Sequence, residues 1–136
     1  MNKAAFPFPL IVECLSPWEI AELEESKQLY RLVKDFVFVS KEHGDIVIPS
    51  GFVCDTASVP SFSKAVIDND SPCILFASWI HDWLYNCQGL CGGRNLSRLE
   101  CDEILREAMD AAGASELIQV IVFDAVRLGG QAVWDS

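Results

Sequence analysis

The chain has 136 residues, about half of them apolar, and carries a net charge of −10. One domain is the natural expectation at this length, spanning 1–136, and such a chain can bury a core without metals or disulfides as staples. The charge disfavours nucleic acid and anionic lipid surfaces; no run of eighteen apolar residues offers a transmembrane helix; and the first ten residues hold a lysine and two prolines, too broken for a secretory signal.

Phe8 to Leu15 is a short apolar run with the character of a strand. Ser16, Pro17 and Glu19 read as an N-cap, a proline at the first helical position and a capping-box acid, opening a short helix to about Glu25. Residues 29–40 are rich in Val, Phe and Leu, Glu42-His43-Gly44-Asp45 supplies turn chemistry, and 45–49 resumes the β pattern. A β-hairpin is therefore expected over 29–49, with Phe52-Val53 prolonging it. Ser71-Pro72 opens a helix to about Cys87, ended by the loop 88–93. Ser97 and Glu100 form a second capping box for a helix ending near Ala112, with Gly113 as its terminator. A last helix from Ser115 to about Leu128 is apolar on most sides and is expected to be central to the core. The expected class is α+β: a small antiparallel sheet from the N-terminal half packed on three C-terminal helices.

Six cysteines occur, none in C-x-x-C spacing, so a structural zinc site has little support and most are read as buried thiols. Cys87 and Cys91, with Cys101, are the candidates for a bridge, because the first two flank one short loop.

At roughly 100° per residue, Phe76, Ala77, Ile80, Trp83, Leu84 and Cys87 share one arc of the helix 72–87, and Ser78, His81, Asp82, Tyr85 and Asn86 share the other. His81 and Tyr85, at i and i+4, are stacked neighbours. So much polarity on so apolar a helix points to an internal cleft. On the next helix Asp102 sits among Leu99, Leu105 and Met109, where an inward carboxylate must be paired. Antiparallel packing would bring it to His81, fixing the tautomer and leaving the other ring nitrogen to activate water. The bland alternatives are a histidine locked in the core, an Arg98–Asp102–Arg106 helical ion pair, and a self-bonded turn at Asp55-Thr56-x-Ser58. His43, in a turn, is read as exposed and inert. A Ser58–His81 nucleophile pair lacks the G-x-S-x-G elbow.

The arrangement His81-Asp82-Trp83-Leu84-Tyr85 followed by Asp102 resembles the catalytic helices of secreted phospholipase A₂, over about 30 residues. The resemblance implies His81 as general base on water, Asp82 as calcium ligand, and Tyr85 and Asp102 as supports. The glycine cluster Gly89, Gly92, Gly93 follows this helix, whereas that family places its calcium loop before it.

A second resemblance is wider. Pro49-x-Gly51-Phe52-Val53-x-Asp55-x-Ala57-Ser58-x-Pro60, then His81-Asp82-x-x-Tyr85, then Arg98-x-x-x-Asp102, is similar to an uncharacterised family found mostly in tailed bacteriophages and prophages, over roughly residues 30–130. It implies a phage origin and adds Asp55 and Ser58 to the candidate site. Asp55, Asp82 and His81 could then share one divalent ion: calcium, magnesium or manganese on the oxygens, zinc with the imidazole.

The leading expectation is a phage-encoded, hydrolase-like domain in which His81 activates water, Asp102 orients it, Tyr85 supports it, and Asp82 with Asp55 binds a divalent cation, acting on an ester or amide of the host envelope. The alternatives are a non-catalytic virion protein, such as a tail or assembly component among other virion proteins, and a small acidic inhibitor of a host protein. The expected location is the virion or the host cytoplasm.

Overall fold

The structure, a computed structural model, describes residues 4–55 and 72–136. The chain runs β1 (Val12–Cys14), α1 (Pro17–Glu22), β2 (Tyr30–Leu32), β3 (Phe36–Ser40), β4 (Gly44–Ile48), β5 (Val53–Cys54), α2 (Pro72–Asn86), a 3-10 turn (Cys91–Gly93), α3 (Arg98–Ala111), α4 (Glu116–Gly129) and α5 (Gln131–Asp135). The α+β expectation holds, with antiparallel strands in the N-terminal half and helices in the C-terminal half.

The described strands form two small sheets. In one, β2 pairs antiparallel with β1 and β5; the other is the hairpin β3–β4. The hairpin turns where expected, but its first arm is shorter than 29–40: a bend at residues 33–34 breaks that run, and Tyr30–Leu32 joins the other sheet. Phe52-Val53 does not prolong the hairpin either. Val53 pairs with Arg31 and Cys54 with Tyr30. The choice between sheets rests on long-range pairing, which local alternation cannot encode. Residues before β1 reach the other sheet, where Ala5 and Val39 exchange backbone hydrogen bonds and Phe6 stacks on Phe36 at 5.4 Å between ring centroids.

Local capping chemistry is realised. Both boxes, Ser16 with Glu19 and Ser97 with Glu100, carry their reciprocal hydrogen bonds. Gly113 ends α3 at φ +95°, with its N–H on Asp110 O and the next N–H on Met109 O, satisfying carbonyls the helix leaves open. The expected N-cap Ser71 lies outside the described residues.

Core burial centres on α2. Ile74, Ala77, Trp79, Ile80 and Leu84 are all but inaccessible and pack with Phe36, Phe38, Ile46 and Ile48 of the hairpin and with Cys101, Ile104, Ala108 and Met109 of α3. The last long helix is not the central one. It buries Gln119, Val122, Ala125 and Val126, while Leu117 and Leu128 lie in solvent. Its apolar surround is a one-sided packing face plus exposed leucines. The indole Nε1 of fully buried Trp79 has no hydrogen-bond partner among the described residues.

Cys87 and Cys91 are joined as a disulfide across the loop after α2. Cys101 does not share in it: it is fully buried within α3. Cys73 is also buried, Cys54 half-buried and Cys14 exposed.

Candidate functional site

Because α3 packs back along α2 after the connection 87–97, the inward acid of α3 meets the polar stripe of α2. Asp102 is fully buried and His81 is 4% exposed. Asp102 Oδ1 lies 2.7 Å from His81 Nε2 and accepts a hydrogen bond from the Tyr85 hydroxyl at 2.5 Å. Oδ2 accepts from Arg127 Nη1 of α4 at 2.7 Å and lies 3.6 Å from Arg98 Nη1, one turn earlier on α3. The His81 and Tyr85 rings are in contact, 4.2 Å between centroids and tilted by 42°, as neighbours at i, i+4. Trp134 of α5 meets the Tyr85 ring edge-on at 5.2 Å.

Arg98 does more than pair with Asp102. It donates to the Val126 and Arg127 carbonyls at 3.0 and 3.1 Å, satisfying the C-terminal end of α4. Arg106 does not join Asp102; it lies over the Phe123 ring, 5.9 Å from its centroid. One buried carboxylate thus ties α2, α3 and α4 together.

Electrostatics follow from this crowding. Burial works against the Asp102 charge, but the hydrogen bonds from His81, Tyr85 and Arg127 outweigh it and hold the carboxyl below its ordinary value. Burial pushes the Tyr85 hydroxyl well up, and its bond to Asp102 adds to that. Burial also pushes the Cys101 thiol up to about 12, helped by the charges of Asp102 and Glu100. Both groups stay protonated in the folded chain where the unfolded chain has released its protons. Stability is therefore fully present below the ordinary thiol value of 9.0 and is lost as pH rises towards the folded value. Unfolding in urea is expected to be about 2 kcal/mol easier at about pH 10.5 than at about pH 8; an unchanged midpoint would contradict the burial of these protons.

His81, Tyr85 and Asp82 line a cleft of about 920 Å³, which also takes in Asp55, Lys27 and Phe52. So the expected residues Asp55, Asp82 and His81 do share one concavity, and Asp102 stands behind His81. Ser58 lies outside the described residues. The positive charge that Asp55 meets is Lys27 Nζ at 2.6 Å. Among the described residues no group of three His, Cys, Asp or Glu side chains converges as a metal cage.

A family profile matches residues 30–126, and its description is a protein of unknown function, DUF1353. The chain belongs to this family. The DUF1353 span contains Asp55, His81, Asp82, Tyr85, Arg98 and Asp102, whereas Lys27 and Arg127 lie just outside it. No curated protein and no solved structure matches the chain.

Sequence reasoning missed Lys27 and Arg127. Each reaches the site from another element, across 28 and 25 residues respectively from the acid it pairs with, so no helical or strand period marks it.

Proposed function

We propose that the domain is a hydrolase in which His81 activates water. The observation that carries this reading is the 2.7 Å pairing of His81 Nε2 with buried Asp102, placed on the wall of a cleft. With Nε2 engaged, Nδ1 takes the proton from water as the water oxygen adds to an ester or amide carbonyl, and returns it to the leaving group. Arg127 already balances much of the Asp102 charge, so Asp102 and Tyr85 act by holding the ring in place. Leu23, Phe52, Val126 and Val133 give the cleft apolar walls suited to the carbon skeleton of such a substrate. The likeness of the ordered motifs around Asp55, His81 and Asp102 to a family of tailed phages and prophages supports a phage origin, and the substrate proposed on that origin is an ester or amide of the host envelope.

The near-complete burial of His81 and Asp102 favours a second reading, a virion or assembly protein in which the cluster is a lock between helices. Turnover separates the two. Assayed on p-nitrophenyl esters of graded acyl length and on cell-wall peptide amides, the wild type is expected to turn over, and His81→Gln to lose about 10²–10⁴-fold in kcat while still melting cooperatively. A folded wild type inactive on the whole panel would leave the lock.

A further inference from the structure

Adding water to a carbonyl puts negative charge on the carbonyl oxygen, and a general base alone does nothing for that charge. Arg98 and Arg127 beside the dyad are occupied by Asp102 and the end of α4. Among the described residues lining the cleft, Lys27 is the positively charged side chain.

Its position is built. Gln28 Nε2 donates to Leu15 O at 3.1 Å and to Leu29 O at 2.8 Å, and Leu15 N–H bonds Leu29 O, fastening the segment between α1 and β2 to the end of β1. Tyr30 pairs with Cys54, so Asp55, the next residue along, leaves the sheet beside the segment that enters β2, where Lys27 lies. Lys27 Nζ lies 2.6 Å from Asp55 Oδ2, with the lysine side chain 60% exposed and the aspartate 25%. The ammonium is thus reachable from the cleft while its holder is the more buried partner. The hydrogen bond and charge of Asp55, with further contributions from Glu25 and Asp82, raise the lysine above its ordinary value, so it stays cationic through the neutral range.

We propose that Lys27 is the electrophilic partner of His81, its ammonium stabilising the oxyanion formed when water adds to the substrate carbonyl, and that Asp55 is its positioning residue. This rests on the hydrolase reading above. The water oxygen bonds to the carbonyl carbon, the C=O π pair moves onto the carbonyl oxygen, and the released proton goes to His81. The oxyanion accepts a charge-assisted hydrogen bond from Lys27, which keeps all its protons. Collapse restores the C=O and breaks the bond to the leaving alkoxide or amine, which takes the proton from His81. The cation expected beside Asp55 is, in this assignment, a side chain of the chain itself.

The test is steady-state hydrolysis of p-nitrophenyl butyrate, a neutral probe, by the full chain and by Lys27→Met, Lys27→Arg and Asp55→Asn. Lys27→Met is expected to lower kcat about 10²–10³-fold with KM little changed, Lys27→Arg to recover part of the loss, and Asp55→Asn to lose about tenfold. Unchanged melting curves are expected, because the lysine is exposed. If the wild type turns over and Lys27→Met keeps its kcat, or loses only in KM, the oxyanion assignment is overturned and the hydrolase reading stands. If the folded wild type shows no turnover on the ester and amide panel, the hydrolase reading falls, and this assignment with it.

Discussion

Replacing Asp102 by alanine is expected to lower the unfolding free energy by about 3–5 kcal/mol, the cost of leaving buried charge without its partner. The carboxylate is fully buried and receives His81, Tyr85 and Arg127 within hydrogen-bonding distance. Its removal leaves the Tyr85 hydroxyl proton and Arg127 Nη1 without their acceptor, while Arg98 still donates to the Tyr85 oxygen, and it opens a void between α2 and α3. Asp102→Asn keeps the shape, but one of its two faces must then present an NH₂ donor either to Arg127 or to Tyr85 and His81. A loss of about 3 kcal/mol is expected there. The pH dependence gives an independent sign. The folded carboxyl titrates below its ordinary value of 3.8, so its stabilisation is present above that value and is lost as pH falls through the folded one. The asparagine variant lacks this acid-side loss. Urea unfolding followed by tryptophan fluorescence, at neutral pH and in acid, measures both; variants within about 0.5 kcal/mol of the wild type would mean the cluster does not hold the helices together.

What the sequence discloses about this fold is mostly what acts over four residues or fewer. Ser16 with Glu19 and Ser97 with Glu100 are legible because a capping box is a local hydrogen-bond exchange. Gly113 is legible because a left-handed terminus prefers glycine. The His81–Tyr85 contact follows from helical spacing, and Asp102 could be brought to it because an acid among leucines on a helix face must find a partner. The division of residues 30–40 between two sheets is not legible, since Tyr30 pairs with Cys54 and Phe36 with Ile48 through contacts that alternation does not specify. The five-residue helix Gln131–Asp135 carries no side-chain cap and gives no signal, yet it brings Trp134 against Tyr85. Arg127 reads locally as a base in the last turn of α4, suited to the helix dipole; only packing turns it on to Asp102.

Gly89→Ala is the second large effect, and it tests how the dyad is assembled. The connection after α2, residues 87–97, must reverse the chain for α3 to return antiparallel and deliver Asp102 to His81. Gly89 does this at φ +76°, a conformation that costs an L-residue roughly 1–2 kcal/mol. Its N–H bonds Leu84 O at 2.9 Å, its carbonyl accepts from Leu96 N–H at 3.0 Å, and the two strands of the loop lie against each other there. A Cβ built at Gly89 would fall 2.0 Å from the Leu96 carbonyl oxygen, which is backbone and cannot rotate aside. Left-handed strain and displaced backbone together are expected to destabilise the domain by about 3 kcal/mol or more; under the hydrolase proposal, turnover falls further than the folded fraction accounts for, because a shift of α3 moves Asp102 away from His81 Nε2. Gly92→Ala is the control. It has φ +65° in the same loop but open space around its Cβ, so the conformational strain alone, about 1–2 kcal/mol, is expected. Equal losses in the two variants would mean that the Gly89–Leu96 approach does not position α3; a larger loss at Gly89, with the melting midpoint and kcat falling together, identifies this contact as what holds the dyad in register.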